Sequence, residues 1–489
     1  MSITVIGLGP GNPAHLTLEA WEILKDAQEI YLRTKEHPTV AALPSHIKLH
    51  SFDHLYEEKE DFASVYETIA QEVLALGRRH AGAIYAVPGH PLVGEASVSR
   101  LLALAKEEGL AVRLVSGLSF VEPVLACLGL DALEKGLQVF DAMELAARHH
   151  PPFNPDVPAL AGQLYSRNLA SEVKLTLMNL LPDDHPVTLV WAAGTDCEQT
   201  RTLPLYELDR GEFDHLTTLY IPPLPQPGAL ETFQDTVACL RAPDGCPWDR
   251  EQTHQSLRPC LLEETYEVLE ALDADDKNVL CEELGDLLMQ VFIHTQIAVE
   301  NGDFKMPQVV GHIDSKIKRR HPHVFGEAVV KDSLEVLHNW EEIKRAERGE
   351  EGYQSILDGV PRSLPALAQA EAYQRRAARV GFDWQDVDGV VEKILEEIGE
   401  LKTAEDTSAR EREMGDLLFS LVNLARWLDV DAESALRAAN ARFASRFARM
   451  ERISRARGCD LGTLPLVEQD KLWEEAKSVL DKGTENGYN

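Results

Sequence analysis

The stretch that decides the fold of the second half is a carboxylate motif that occurs twice. Glu263–Glu267 reads EETYE and is followed by ELGD at Glu283–Asp286. The pattern returns as EEIGE at Glu396–Glu400 and EMGD at Glu413–Asp416, an offset of about 130 residues. Solenoid repeats are much shorter than this offset. The spacing therefore predicts a duplicated helical domain.

In each copy the carboxylates fall on one edge of an apolar helix stripe. At about 100° per residue, Glu264 and Glu267 lie one turn apart, and Glu283 and Asp286 do the same on the next helix. The matching positions of the second copy are Glu397, Glu400, Glu413 and Asp416. If the helices of a copy pack by their apolar stripes, four carboxylates converge at the rim of that core.

Such an arrangement costs stability unless a cation offsets it. Like charges one turn apart oppose helix formation by roughly 0.2–0.5 kcal/mol per pair. An acidic solvated face is the alternative, but the same wheel positions occupied twice favour a metal site. All-oxygen ligands favour Mg²⁺, Mn²⁺ or Ca²⁺ over zinc, and bound Mg²⁺ usually shares its shell with substrate phosphates.

Basic residues follow each copy at one-turn spacing. They are Lys316 and Arg320 after the first copy, and Arg442 and Arg446 after the second. We expect these side chains to meet the remaining phosphates of a polyphosphate substrate. The alternative interpretation is an ordinary Arg-rich helix surface.

Residues 231–480 resemble the MazG nucleoside triphosphate pyrophosphohydrolase family, an all-α class. Matching stretches are DGCPWD at Asp244–Asp249, RRHPHVF at Arg319–Phe325, PRSLP at Pro361–Pro365 and VGFDW at Val380–Trp384. The resemblance implies that the eight carboxylates bind Mg²⁺ and that water attacks the α-phosphorus, giving a nucleoside monophosphate and pyrophosphate. We favour the second copy as the catalytic one because of Arg442 and Arg446. A homodimer formed through this half is expected.

The first 220 residues alternate strand and helix signals. Ile3–Ile6, Ala83–Val87 and Ala111–Val115 are short β-rich runs that each end in a glycine-containing loop. This order predicts βαβ units, a mainly parallel sheet and sites at the carboxyl ends of its strands. A proline-rich breaker then separates the halves. The predicted domains are 1–220 (α/β), a linker at 221–230, and helical units at 231–350 and 351–485.

Three small-residue loops mark the first half. They are GLGPG at Gly7–Gly11, GHPLVG at Gly89–Gly94 and SGLS at Ser116–Ser119, which we call the first, second and third loops. The first lacks the spacing of a dinucleotide fingerprint, so NAD is not supported. Together with LTLEA at Leu16–Ala20, the loops resemble the tetrapyrrole methylase superfamily.

The methylase resemblance implies two α/β lobes with S-adenosylmethionine bound between them. It assigns the cofactor contacts to Gly9, Pro10, Gly11, Gly89, His90, Pro91, Ser116, Gly117 and Ser119. Gly-His-Pro stands in the second loop where Gly-Asp-Pro is usual, and the methyl acceptor is unknown. The joined architecture resembles the YabN-type fusions of bacteria.

The amino-acid composition argues against several other classes of protein. Asp and Glu number 81 against 48 Lys and Arg, a formal net charge of −33, so nucleic-acid polymers and anionic membranes are poor partners. Seven cysteines without a C-x-x-C pair argue against disulfides and zinc. No leader or membrane-spanning run is evident, which predicts a cytoplasmic protein.

Two enzymatic hypotheses follow from these patterns, beside a third, non-enzymatic one in which the chain is a nucleotide-sensing scaffold. The first is a Mg²⁺-dependent nucleoside triphosphate pyrophosphohydrolase fused to an S-adenosylmethionine-binding domain. The alternative is a methyltransferase whose helical half serves as a dimerisation or nucleotide-sensing module.

Overall fold

The computed structural model describes residues 2–59, 61–348 and 355–484. The chain divides into two compact units, Met1–Gln252 and Thr253–Asn489. The predicted linker at 221–230 precedes this division, and the four-part domain scheme stays a prediction. Within the described ranges, no helix has the length and apolar character needed to cross a membrane.

The first lobe of unit one is an all-parallel sheet flanked by helices. Its strands are β1 (Ser2–Gly7), β2 (Glu29–Leu32), β3 (Lys48–Ser51), β4 (Ala83–Val87) and β5 (Ala111–Val115), in the order β3-β2-β4-β1-β5. Its helices are α1 (Leu18–Asp26), α2 (Asp53–Glu58), α3 (Phe62–Gly77), α4 (Ala96–Glu107) and α5 (Val121–Leu128). The strands form the core, since Ile3, Val5 and Tyr85 are fully buried. The connecting loops gather at the carboxyl ends of the strands, as predicted.

The second lobe is built on a mixed sheet. Its strands are β6 (Gln138–Asp141), β7 (Ala159–Gly162), β8 (Pro186–Trp191), β9 (Gln199–Pro204) and β10 (Thr217–Ile221), in the order β6-β7-β10-β8-β9. Only β6 and β7 are parallel among these pairs. The α/β class is confirmed, but the expected parallel sheet is limited to the first lobe. A short connection joins β8 to β9, which an antiparallel pair permits and a parallel pair does not.

Four helices complete unit one. They are α6 (Ala142–Ala146), α7 (Arg167–Leu177), α8 (Leu230–Arg241) and α9 (Pro247–Glu251). Asp156 fixes the start of α8 to the second lobe, because its carboxylate accepts hydrogen bonds from the backbone N–H groups of Gly228 (2.8 Å) and Ala229 (3.1 Å). The first helix after the proline-rich segment thus packs with unit one.

Unit two is helical throughout its described residues. Its helices are α10 (Arg258–Asp273), α11 (Lys277–Asn301), α12 (Met306–Arg320), α13 (Pro322–Phe325), α14 (Ser333–Arg348), α15 (Ala366–Ala378), α16 (Val387–Thr403), α17 (Thr407–Trp427), α18 (Ala432–Ala456) and α19 (Leu466–Thr484). Helix α10 packs against α11, and α16 packs against α17. Aspartate caps start α11 and α17, since Asp276 accepts from Asn278 and Asp406 accepts from Ala409. The all-α second half is confirmed.

Candidate metal centres and cofactor loops

The first carboxylate cluster joins α10 and α11. One oxygen from each of Glu264, Glu267 and Glu283 lies within 4.8 Å of the others. Asp286 follows Glu283 by one turn. Burial raises the pKa of Glu264, and the negative charges of Asp286 and Glu267 raise it further. Burial and the charge of Glu267 raise the pKa of Glu283 in the same way. These carboxylates repel one another in the absence of a cation.

The second cluster joins α16 and α17 in the same manner. Oxygens of Glu397, Glu413 and Asp416 lie within 4.8 Å of one another. Glu397 is only 4% exposed. Its Oε2 atom is buried and has no hydrogen-bond partner among the described residues. Burial and the charges of Glu397 and Glu413 raise the pKa of Glu400, the fourth predicted residue, which is not one of the three converging carboxylates.

Lys393, which the repeat pattern does not single out, distinguishes the second cluster. Lys393 Nζ lies 2.8 Å from Glu397 Oε1 and 3.0 Å from Glu396 Oε1. Hydrogen bonds to these two carboxylates raise the pKa of Lys393. The first copy has Cys260 at the matching position, four residues before Glu264. The i,i+4 spacing of Lys393 and Glu397 is the signal that would have found it.

Both clusters fit a hard divalent cation. Their donors are carboxylate oxygens from two neighbouring helices, which is the ligand type that Mg²⁺, Mn²⁺ and Ca²⁺ prefer. Mutual repulsion and the orphaned Glu397 Oε2 are both relieved by a positive ion at the same point. The structure therefore brings together three of the four carboxylates that the repeat pattern selected in each copy, while their role as ligands stays a prediction.

Arg320, one of the two predicted phosphate-binding residues of the first copy, is already paired, and so is its neighbour Arg319. Arg320 Nη2 lies 2.6 Å from Glu347 Oε2, and Arg319 Nη2 lies 2.7 Å from Glu347 Oε1. Hydrogen bonds from Arg320 and then Arg319 lower the pKa of Glu347 to about 2. The Arg320 guanidinium also lies 5.5 Å from the ring centre of Trp340. Neither Glu347 nor Trp340 was selected from the sequence.

The other predicted phosphate-binding residues lie on helix surfaces. Lys316 is exposed on α12, four residues before Arg320. Arg442 is exposed and Arg446 half-buried on α18, one turn apart. The one-turn spacing predicted from the sequence is therefore present in both copies.

The three glycine loops of unit one meet at the carboxyl edge of the first sheet. A Cβ added to Gly7 would lie 2.5 Å from the oxygen of Gly89 and 2.8 Å from the nitrogen of Gly117. The N–H of Gly89 donates to the oxygen of Gly9 at 2.8 Å, and Gly9 returns a bond at 3.2 Å. The loops approach so closely that there is no room for a side chain at these positions. Backbone N–H and C=O groups therefore form this edge of the sheet.

Side chains hold the three loops in shape. Ser119 donates to Glu122 Oε2 from its backbone nitrogen (2.8 Å) and its hydroxyl (2.6 Å). His90 Nδ1 accepts from the N–H of Leu92 at 3.0 Å. Thr17 Oγ1 donates to the oxygen of Ser116 at 3.0 Å. The side chains of Ser119 and His90 therefore make local turn contacts.

The remaining predicted cofactor residues sit in or next to these loops. Gly9 (φ +73°), Gly11 (φ +133°) and Gly89 (φ +64°) all have positive φ, and Pro10, Pro91 and Gly117 adjoin them in the chain. A cradle of backbone and small residues suits close approach by an extended ligand such as S-adenosylmethionine. The residues present fit that cofactor.

The fold and sites define a two-part protein, an α/β methylase-like unit followed by a helical unit with paired carboxylate clusters. Residues 2–209 match the model for Tetrapyrrole (Corrin/Porphyrin) Methylases, and residues 252–325 match the MazG nucleotide pyrophosphohydrolase domain. The chain is 42% identical to the uncharacterized protein YabN of Bacillus subtilis over 98% of both chains. It therefore belongs to the YabN family, in which a tetrapyrrole methylase domain is joined to a MazG domain.

Two further relatives match the helical half. The nucleoside triphosphate pyrophosphohydrolase/pyrophosphatase MazG of Thermotoga maritima is 48% identical, over 49% of this chain and 91% of that protein. The nucleoside triphosphate pyrophosphohydrolase of Escherichia coli K12 is 47% identical, over 49% of this chain and 93% of that protein. Both alignments are longer than one copy of the carboxylate repeat.

Proposed function

We propose that the chain is a Mg²⁺-dependent nucleoside triphosphate pyrophosphohydrolase that carries an S-adenosylmethionine-binding methyltransferase domain. The observation that carries the hydrolase assignment is the convergence of three carboxylates within 4.8 Å in each helical copy. The names of the Thermotoga and Escherichia relatives support the same reaction. The substrates are nucleoside triphosphates, and the products are a nucleoside monophosphate and pyrophosphate.

The residues of the second cluster have separable tasks. Glu397, Glu400, Glu413 and Asp416 would hold Mg²⁺, or Mn²⁺ in its place. When bound, such an ion supplies water activation and charge neutralisation. Lys393 forms an ion pair with Glu397, which a bound metal ion would have to displace. Arg442 and Arg446 would bind the phosphate oxygens that the carboxylates cannot approach.

We assign turnover to the second copy. Arg320 of the first copy is already paired with Glu347 in the structure, so its phosphate-binding capacity is reduced. Glu264, Glu267, Glu283 and Asp286 retain a complete carboxylate set and would bind metal in the first copy. Lys316 is left as the exposed cation of that copy's predicted pair.

The assignment is tested by pyrophosphate release from a panel of nucleoside triphosphates with Mg²⁺. Glu397→Gln removes the buried ligand, and Glu405→Gln is the matched control because Glu405 is exposed and follows α16 outside the cluster. We expect release by wild type and the control and its loss in Glu397→Gln. Equal release by all three proteins would exclude the second cluster as the hydrolytic site.

The methyltransferase assignment is carried by the loops at Gly7, Gly89 and Gly117, which leave room for close approach of a cofactor. The family model for residues 2–209 supports it. Calorimetry with S-adenosylhomocysteine tests it, and we expect saturable one-site binding. Absence of heat and of any thermal shift would remove this activity. The alternative, a methyltransferase with the helical unit as dimerisation or nucleotide-sensing module, requires cofactor binding without pyrophosphate release.

A homodimer through the helical unit is part of the proposal. Large apolar side chains are exposed on both copies, including Leu262 (52%), Val310 (54%), Leu395 (64%) and Phe443 (59%). Exposed apolar area of this extent favours burial against a partner. Sedimentation is expected to give a dimer that Leu395→Glu weakens, and a monomeric wild type would contradict this. A cytoplasmic location remains a prediction.

A further inference from the structure

Two residues of the second lobe have a backbone conformation that their side chains disfavour. In the part of the chain that the structure describes, the non-glycine residues with positive φ are Gln163 (+61°), Ala192 (+46°), Asp275 (+53°) and Asp429 (+53°). Aspartate tolerates this left-handed region because its short polar side chain can bond locally, whereas glutamine and alanine have no such advantage. The two unusual positions are therefore Gln163 and Ala192, which directly follow β7 and β8.

The neighbours of Gln163 fix its backbone. Leu164 is fully buried, and its N–H donates to the oxygen of Thr217 at 3.2 Å. On the other side, the chain packs closely, since a Cβ added to Gly162 would lie 2.7 Å from Cζ of Phe120. A glycine at position 163 would adopt the same φ without a steric cost. The presence of a glutamine therefore indicates that its side chain is used.

The Gln163 side chain crosses from the second lobe to the second loop, which belongs to the first lobe. Its Nε2 atom donates to the oxygen of Gly94, the last residue of that loop, at 3.0 Å. The approach is close, because a Cβ added to Gly94 would lie 2.9 Å from Gln163 Nε2. Gly94 is exposed, so water competes for its oxygen and the fold gains little stability from this bond. What the bond does fix is the distance between the second loop and the end of β7.

The turn after β8 makes a matching contact with the first loop. Thr195 donates to the oxygen of Ala192 from its backbone nitrogen (3.1 Å) and from its hydroxyl (2.8 Å), which closes the turn. The oxygen of Gly194 accepts from Nδ2 of Asn12, the residue after the first loop, at 3.1 Å. A Cβ added to Gly11 would lie 3.3 Å from Cγ2 of Thr195. The two turns with unusual backbones thus contact the far ends of the first and second loops.

The first and second loops are also joined to each other. Gly9 and Gly89 exchange two backbone hydrogen bonds, at 2.8 Å and 3.2 Å. The predicted cofactor residues of these loops, Gly9–Gly11 and Gly89–Pro91, extend along the chain from this joint towards the two contacts with the second lobe. A shift of Gly94 would therefore change the spacing between the predicted cofactor residues and the second lobe.

We propose that Gln163 is a positioning residue of the cofactor site, and that its bond to Gly94 holds the second loop at the distance from the second lobe at which S-adenosylmethionine binds. The chain has a glutamine in an unfavourable conformation at the end of β7 because a glycine there would lose this bond. The positioning role rests on the proposed methyltransferase function, whereas the link between Gln163 and the second loop does not.

The test measures the affinity of the full chain for S-adenosylhomocysteine by calorimetry. Gln163→Met keeps the length of the side chain and removes the donor, whereas Gln163→Gly removes the donor and also the unfavourable backbone. We expect both variants to bind the probe about three- to tenfold more weakly, the contribution of one hydrogen bond. Gln163→Gly should still melt at a higher temperature than Gln163→Met, because glycine adopts positive φ freely. Asp429→Gly, the same kind of change at a positive-φ residue of unit two, is the control and should bind as wild type does.

Hydrogen exchange in the second loop separates this proposal from the methyltransferase function. The N–H groups of Leu92 and Val93 are bonded to His90 within the loop, and without the probe they should exchange faster in Gln163→Met than in wild type. Unchanged exchange, or wild-type affinity of Gln163→Met for the probe, overturns the proposal. An equal loss of affinity in Asp429→Gly overturns it as well. If wild type fails to bind the probe while exchange still depends on Gln163, the methyltransferase function fails and the link between Gln163 and the second loop stands.

Discussion

The first and second carboxylate clusters draw on the same residue types, yet the cations near them differ. The neighbours that shift the pKa of Glu264 are the acidic groups Asp286, Glu267 and Glu263. In the second cluster Lys393 lies 2.8 Å from Glu397. The second cluster is thus partly neutralised before metal binds, whereas the first copy has Cys260 at the position of Lys393.

The sequence around the basic residues also differs between the copies. Glu347 of α14 occupies Arg319 and Arg320 of the first copy. Trp340 and Trp473 are equivalent in the repeated W-E-E segment, and the residue seven places later is Glu347 in the first copy but Leu480 in the second. Duplication has preserved the predicted ligands and changed the counter-charges. The two copies therefore differ in the charged residues that accompany the predicted ligands.

The largest expected effect comes from removing one aspartate at a time. Asp416→Asn should reduce pyrophosphate release by about a hundredfold or more, because even residues that only support metal ligands commonly contribute 10- to 100-fold. Asp286→Asn, the matched change in the first copy, should leave most of the turnover. Steady-state rates at saturating Mg²⁺ measure both. A larger loss of release in Asp286→Asn than in Asp416→Asn would indicate that the first copy is the catalytic one.

A smaller effect is expected from Lys393→Met. Lys393 competes with metal for Glu397, so its removal should lower the Mg²⁺ concentration for half-maximal binding by about two- to fivefold, the range of a partly exposed ion pair. Calorimetric titration of Mg²⁺ measures the shift. Cys260→Met, at the equivalent position of the first copy, is the control and should leave the second site unchanged. A weaker Mg²⁺ affinity would mean that Lys393 supports the ligands instead of competing with metal.

The comparison also indicates what the sequence could predict. The carboxylates were found because side chains that share one site must recur at fixed helical spacing, and Glu264 and Glu397 obey that rule. The glycine loops were found because close backbone contact excludes a side chain at positions such as Gly117. The carboxylate repeat and the glycine loops each depend on which residue type stands at which spacing along the chain. A single sequence shows both directly.

Other features depend on contacts between elements distant in the chain. Glu347 reaches Arg320 from a different helix, and no local spacing links them. Glu95 and Arg33 form an ion pair only because β2 and β4 are neighbours in the sheet. The antiparallel β8–β9 pair was missed because the first four residues of β9 are polar and exposed, so the strand has no local apolar pattern. These ion pairs and this strand pair depend on which distant segments of the chain meet in the fold, and the residue types alone do not predict that.

A gain of function would sharpen the comparison of the copies. In an Asp416→Asn background, Glu347→Gln should free Arg319 and Arg320 and raise residual pyrophosphate release by about two- to fivefold. Glu342→Gln, a change on the same helix at a residue outside this ion pair, is the control. Release unchanged by Glu347→Gln would show that pairing with Glu347 is not what limits the first copy.

The smallest effect is a pH dependence of stability at the same residue. The pKa of Glu347 is lowered from its ordinary value of 4.5 to about 2 by Arg320 and Arg319. A carboxylate with a lowered folded pKa stabilises the fold above its unfolded pKa and loses that contribution as the pH falls. Wild type should therefore melt slightly above Glu347→Gln at pH 7, with the difference shrinking from about pH 4.5 towards pH 2. Thermal unfolding across this range measures it, and a difference independent of pH would mean that Glu347 acts through packing instead of charge.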